Sequence, residues 1–474
     1  MSLARLTAYL AAFYALFHAA LYVLGVRYDL VPLGMFAHYA DPELLRTRLL
    51  ESCFYLHVQP PLYNLFVGVV LKLFPGWEAV AFQAVFLLSG FALYVLLIVL
   101  QTRLGVSRAV ALVTSTLLVC SPSFILFEHL LVYTLHCALL LVMAALLLHE
   151  FLTTKRHWAG WAFFTALFLL GGIRSMYHLV CYVAIAVGVV VWAGPPRRRL
   201  VWMALVPGLL LCSFYVKSYV LFGQFTTMSF MGKGLWIKTV GNLSWPQREQ
   251  LANEGKISEV SLVERFWAID YYPEAIREIE GFEGIPVLRQ KDKSTGEINY
   301  NHLSQLAVSK LYMHDALYVL RHYPKTYLCS TAWAALTFLS PMPQQVAGLK
   351  WWQALYDRLV YGKINVRLAR FIPQLGASKH VPYVFLMAGY PLLLCYGLSL
   401  GLRGGKAGAF THAQRGVLLF MGLTILYVAA LSILLELAET NRYRFETEGF
   451  YVVFLGIFLE RVVVGRLRRR AGTD

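Results

Sequence analysis

The stretch that decides the reading of this chain is His57-Val58-Gln59-Pro60-Pro61-Leu62-Tyr63. It follows a first apolar run at residues 6–26 and opens a 14-residue apolar run at 61–74. At about 1.5 Å of rise per residue, such a run falls well short of a hydrocarbon core about 30 Å thick. The two prolines impose an extended entry to the next helix and leave carbonyls free to bond. The stretch therefore predicts the floor of a site at a membrane surface, followed by a helix that lies at that surface or enters it only partly.

Of 474 residues, 58% are hydrophobic and 14% charged, and apolar runs near 20 residues recur. Mean hydropathy is +0.59. This composition predicts a polytopic membrane protein. The net charge of +16 raises nucleic acid as a partner. The cations sit mostly in short connectors and in the tail, where the positive-inside rule already places them, so nucleic-acid binding is set aside. Seven cysteines without regular spacing form neither a disulfide framework nor a metal pattern. The N-terminus, apolar from Leu6 to Leu24 after Arg5, lacks a small-residue cleavage site and reads as a retained first helix.

Ten runs are long enough, or nearly so, to span: 6–26, 78–100, 107–127, 130–150, 157–173, 177–194, 200–222, 381–402, 413–437 and 449–465. Residues 61–74 and 325–341 are shorter cases. With the N-terminus inside and 61–74 kept outside, Arg103/Arg108, Lys155/Arg156, Arg197-Arg198-Arg199, Arg403/Lys406 and the basic tail at 466–470 all face the cytoplasm. Letting 61–74 cross alone would turn three basic connectors outward. The expected fold is thus an all-α bundle of about 10–12 spans with both termini cytoplasmic and membrane lipid around it. Three regions follow: a membrane module at 1–222, an external cap at 223–324 and a C-terminal membrane region at 325–474. The cap is helix-like around 258–281 and 302–323. The run 325–341 is re-entrant, interfacial or paired with a further span. Segments 27–77, 128–129, 174–176, 223–324 and a tight turn at 438–448 are external.

Those segments hold the candidate chemistry. Asp29, just after the first span, is either a solvated loop residue or a base held at the surface. Asp41-Pro42-Glu43 reads as a helix start, with Asp41 as N-cap and a short helix running to about Cys53. His57 taken alone is a structural histidine. Glu128-His129, with His136 beyond, lies between two apolar spans and needs a polar cavity or a partner. Arg174 either snorkels or contacts an anion, and Lys217 and Lys233 offer the same choice. In the last external turn, the forked donors of Arg442 and Arg444 suit a phosphate or carboxylate, while Glu436, Glu439, Glu446 and Glu448 could neutralise them.

An Asp just after the first span, a His-x-x-Pro-Pro-Leu-Tyr run, an acidic residue in the second external loop and Arg-Tyr-Arg before the last span together resemble the GT-C membrane glycosyltransferases. Protein O-mannosyltransferases and the transferase that adds aminoarabinose to lipid A are the members the chain looks most like. The resemblance covers about the first 220 residues in the order of spans and loops, plus the final external turn; Pro60-Pro61-Leu62 is its most specific piece. It implies a GT-C-like bundle that moves a sugar, with inversion, from a polyprenyl-phosphate carrier to a hydroxyl on a lipid, glycan or protein at the external (periplasmic or lumenal) face. By position it implies Asp29 as catalytic carboxylate, Glu128 as the second acidic position, and Arg442 and Arg444 near the donor phosphate. Arg174 would join them, Lys217 and Lys233 stand in reserve, and His57, Tyr63 and Tyr443 would shape the sugar or acceptor pocket. The chain departs from many relatives in its single Asp29, in Glu128 for Asp, and in Phe445-Glu446-Thr447 where prolines are usual, which leaves the sugar unnamed. No cofactor is expected, since two carboxylates are too few to predict a metal; a hard divalent cation between Asp29 and Glu128 is the alternative. The competing functions are a transporter or flippase of a lipid-linked or anionic substrate, which needs polar or broken helices at the membrane midplane, and a non-catalytic scaffold.

Overall fold

The computed structural model describes residues 3–194, 197–277, 281–342, 344, 346, 348–363, 383–403 and 410–465. Its elements are helices, and among the described residues extended pairing is limited to three isolated bridges. Helix α1 (Leu3–Val23) leads into a first loop carrying α2 (Val31–Met35), α3 (Pro42–Thr47), α4 (Leu49–Tyr55) and α5 (Leu62–Leu73). The bundle continues through α6 (Glu78–Arg103), α7 (Arg108–Val119), α8 (Pro122–Glu128), α9 (Thr134–Thr154), α10 (His157–Ile173), α11 (Leu179–Ala193) and α12 (Arg197–Phe222). The cap contains α13 (Met231–Lys238), α14 (Trp245–Asn253), α15 (Glu274–Arg277), α16 (Pro286–Arg289) and α17 (Leu303–His322). Then come α18 (Pro324–Phe338), α19 (Lys350–Leu359), α20 (Tyr390–Leu402), α21 (His412–Leu435) and α22 (Thr440–Phe458).

Helix α9 is apolar around most of its circumference, so it has no face suited to water and must be covered on all sides. Helices α6, α10, α21 and α22 cover it. Five helices are long and apolar enough to cross a membrane: α6, α9, α12, α21 and residues Phe385–Leu402, which include α20. Counting the bent pair α7–α8 as one span raises the number to six. This is fewer than the ten apolar runs in the sequence. Some runs form helices that are short for a span, such as α10, which covers 157–173 as expected but stops after 17 residues ahead of Arg174.

The run at 107–127 is one such case, because α7 and α8 meet at 64° rather than continuing straight. Pro122 forces Ser121 into extended backbone, and the Ser121 side chain then caps α8 by accepting from Phe124 N at 3.1 Å. Carbonyls near the break find partners on α19: Trp352 Nε1 donates to Cys120 O at 2.8 Å and Tyr356 Oη to Leu117 O at 2.6 Å. The short run after the prolines forms α5 with 12 residues, about 18 Å at 1.5 Å per residue, too short to cross. It packs under α3 and α4.

The cap has a core of its own around Trp236, Val240, Tyr272, Tyr312 and Val319. The expected helix at 302–323 is α17, but 258–281 is not a continuous helix: only short 3-10 turns and α15 form there among the described residues. Asp315 of α17 holds that segment by accepting from Ser258 N at 3.0 Å, Ser258 Oγ at 2.5 Å and Ser261 Oγ at 2.7 Å. Asp41 is the N-cap of α3, as expected, accepting from Glu43 N at 3.0 Å, but the single helix expected to about Cys53 is two, α3 and α4, broken at Arg48 and ending at Tyr55.

Asp41 also accepts from Ser294 N at 3.0 Å and from Ser294 Oγ at 2.5 Å, so one carboxylate caps a helix and pins the cap to the first loop. Asp41→Ala is expected to lower unfolding stability in detergent by about 2–4 kcal/mol, and Ser294→Ala by about 1 kcal/mol. Thermal melts of the two variants check the ratio; equal small effects would show that Asp41 does not join the two layers.

Candidate functional site

Where the cap meets the bundle there is a cavity of about 600 Å³. The first loop contributes Phe36, Ala37, His38 and Gln59; the α10–α11 junction contributes Arg174, Ser175, Met176, His178, Leu179 and Val180; the cap contributes Lys233, Arg265 and Phe266; the α21–α22 junction contributes Glu436, Glu439, Arg442 and Tyr443. Four residues singled out from sequence therefore share one wall system: Arg174, Lys233, Arg442 and Tyr443.

Arg442 and Arg444 do not act together. The expected tight turn at 438–448 is helical from Thr440 onward, and residues two apart on an α-helix diverge by about 200°. Arg442 faces the cavity, paired with Glu439 at 3.0 Å, and its buried Nε lacks a hydrogen-bond partner. Arg444 points to the other side, bonded to Glu448 at 3.1 Å and Phe338 O at 2.9 Å and stacked over Tyr390. Its role is to hold α18 and α20 against α22.

Arg174, 2% exposed, forms a buried ion pair with Glu446. Tyr177 Oη donates to the same carboxylate at 2.7 Å, and the guanidinium lies 4.1 Å from the Tyr443 ring centre and 4.9 Å from that of Tyr133. Its Nη2 is buried without a hydrogen-bond partner.

The opening stretch divides its labour. His57 Nδ1 lies 2.8 Å from Ser229 Oγ, and His57 Nε2 lies 2.9 Å from Asn301 O, so His57 ties the bundle to the cap. Burial pushes this imidazole down to about 3, which keeps it neutral. Lys217 donates to Leu56 O at 2.7 Å and does not line the cavity. Tyr63 is buried among Tyr39, Tyr133 and His136. Only Gln59 of this stretch reaches the cavity.

Asp29 and Glu128 lie close in backbone but apart in environment. Asp29 N donates to His129 O at 2.7 Å and Leu131 N to Asp29 O at 3.2 Å. Glu128 is fully buried, bonded to Tyr14 Oη and 3.0 Å from His18 Nε2. The Asp29 side chain is exposed and accepts from Val31 N at 2.8 Å. Neither carboxylate lines the cavity. Among the described residues, no group of three or more His, Cys, Asp or Glu side chains could hold a metal ion.

Sequence reasoning missed His38, Tyr133 and Arg265, which carry no motif, and read Glu436 only as a counter-charge. Glu436 Oε1 accepts from Leu437 N at 2.9 Å and Ala438 N at 3.3 Å, and the carboxylate lies within electrostatic reach of Lys238 and Arg442 without a salt bridge to either. The carboxylate is thus oriented but not consumed.

Lys233 bonds Gln305 Oε1 and sits 4.4 Å from the Phe230 ring centre and 5.3 Å from that of Tyr300. Burial, with Arg265 beside it, pushes its ammonium down to about 7. The sign follows from the lowered value: the unfolded chain binds this proton more tightly, so Lys233 costs stability below about pH 7 and the cost is relieved as pH rises toward its ordinary value. An anion held against this ammonium would respond the other way, since the cation is lost above about pH 7. Affinity for a phosphodiester, whose own charge is constant in this range, is expected to fall by up to about tenfold per pH unit over the first unit or two above neutrality. Lys233→Gln should flatten that slope; an unchanged slope by calorimetry would separate Lys233 from the anion. Compared with known protein families, curated proteins and solved structures, the chain matches none.

Proposed function

We propose that this chain is an inverting glycosyltransferase that takes a sugar from a polyprenyl-phosphate carrier and transfers it to a hydroxyl acceptor at the external membrane face. The observation that carries the reading is a cationic cavity that shares wall residues with two neighbouring apolar grooves. Arg174, Arg265, Arg442 and Lys233 line the cavity. Leu179 continues into an apolar groove between α11 and α12, and Val180 into one between α11 and α21. Such a site suits a phosphate joined to a long apolar chain.

The chemistry asks little more. The acceptor oxygen attacks the anomeric carbon, the bond from that carbon to the phosphate oxygen breaks with inversion, and the hydroxyl proton passes to a carboxylate. Polyprenyl phosphate leaves, its developing charge held by Arg442 and Arg174 rather than by a general acid. Two carboxylates compete for the proton: Asp29 by resemblance and Glu436 by its place on the cavity wall. We assign it to Glu436, because Glu439 is engaged by Arg442 and Asp29 is exposed outside the cavity. The transporter reading is weaker. Among the described residues the one bent helix pair, α7–α8, is closed against α19 and contributes nothing to the cavity lining.

A screen of radiolabelled polyprenyl-phosphate sugars against membranes containing the protein tests the activity itself. Glu436→Gln is expected to lower transfer by about 10²–10⁴-fold with donor binding kept. Arg442→Ala should weaken donor binding by about ten- to a hundredfold. Loss of transfer in Asp29→Asn with Glu436→Gln still active would move the base to Asp29. No transfer from any carrier, with counterflow of the same lipids across vesicles, would favour the flippase.

A further inference from the structure

His38 occupies a wall of the cavity that the transfer chemistry leaves unused. It lies on the loop between α2 and α3, half-buried, beside Gln59 and Tyr133. Its backbone is fixed from below: Asn64 Nδ2 donates to His38 O at 3.0 Å, and Ala40 N donates to Asn64 Oδ1 at 2.9 Å.

A relay of hydrogen bonds sets the state of its ring. Ser175 N donates to Gln59 Oε1 at 3.4 Å, which turns the other end of that amide, Nε2, toward the imidazole. Gln59 Nε2 stands 2.9 Å from His38 Nδ1, and the Tyr133 hydroxyl stands 2.9 Å from the same nitrogen. An amide N–H aimed at Nδ1 requires a lone pair there, so the ring proton resides on Nε2. That nitrogen has no protein partner among the described residues and is not sealed from the cavity.

The surroundings keep the ring uncharged. Burial foremost, then Arg442 on α22, Arg174 at the end of α10 and Lys293 from the cap, hold the imidazole well below its usual range. Arg442 and Arg174 already bring positive charge to the cavity wall, each with a glutamate beside it. A neutral donor adds direction without adding repulsion among them.

We propose that His38 is a substrate-binding residue of the cavity, a neutral imidazole that donates its Nε2–H to an oxygen of the phosphate-linked sugar. This rests on the reading of the cavity as a lipid-phosphate sugar site. It makes Gln59, from the stretch that opens the first loop, a positioning residue that acts through His38.

The test has a structural arm and a binding arm. Full-length protein in detergent, labelled with ¹⁵N-histidine, is compared with His38→Gln so that the His38 signals appear by difference. The expected result is the Nε2–H tautomer with no titration between about pH 5.5 and 8, where an ordinary imidazole titrates. Gln59→Leu is expected to mix the tautomers. Binding of a polyprenyl phosphate is then expected to weaken about tenfold in His38→Ala and in Gln59→Leu, and to stay within about threefold of wild type in His38→Gln, which keeps a donor. The Nδ1–H tautomer, a titration near 6.5, or wild-type affinity in His38→Ala overturns the role of His38 while leaving the cavity assignment standing, provided Arg442→Ala still weakens binding. Equal binding by wild type and Arg442→Ala overturns both.

Discussion

The structure depends on one constraint: a charge placed inside an apolar bundle must find its counter-charge there. Arg174 and Glu446 meet that requirement for the end of α10 and the start of α22, both buried, with Tyr177 completing the carboxylate. Removing either partner of such a pair strands the other at a cost of about 3–5 kcal/mol, although the intact pair adds little over an apolar contact. What the pair supplies is position. It sets Arg174 against the Tyr443 ring at the cavity wall and leaves one guanidinium nitrogen uncommitted.

Helical spacing distributes the remaining charges. Residues 442 and 446 lie about one turn apart on one face of α22, and 444 and 448 lie on the opposite face. The first face contributes Arg442 to the cavity and Glu446 to Arg174; the second is closed by the Arg444–Glu448 pair. The opposite wall is held from above. Lys293 donates to Gly34 O at 2.8 Å and to Phe36 O at 3.0 Å, fixing the backbone just ahead of His38. Helix α13 comes close enough to α17 that any side chain at Gly232 would collide with the Ser309 carbonyl, which seats Lys233 at the cavity edge.

Much of this was legible at the level of local chemistry. Asp41-Pro42-Glu43 announced a capped helix, and the two prolines ahead of Leu62 announced a short one, because capping and proline geometry act over a few residues. The suggestion that the glutamates around Arg442 and Arg444 neutralise them holds for Glu439 and Glu448, while Glu446 serves Arg174 instead. Less legible was the division between the two arginines. It follows from where α22 begins, and an Arg-Tyr-Arg triplet reads alike in a turn or a helix. His38 left no signal at all, since a lone histidine in an unpatterned loop acquires meaning only when Gln59, Tyr133 and Ser175 are brought around it.

By itself the sequence determined that the chain is helical and rich in segments apolar enough for a membrane, that the 61–74 run is short for a crossing, and that polar and charged groups cluster between apolar runs. These are consequences of composition and of short-range periodicity. Only the tertiary structure decided which charges share a cavity. Asp29 pairs through one isolated bridge with Leu130, two residues beyond Glu128, yet the two carboxylates face different surroundings, whereas Gln59, Arg174, Lys233 and Arg442, far apart in the chain, line one space. The reason is physical: burying a charge or a hydrogen-bonding group is costly unless its partner arrives, and partners here arrive from different helices, so their meeting is a property of packing and not of spacing along the chain.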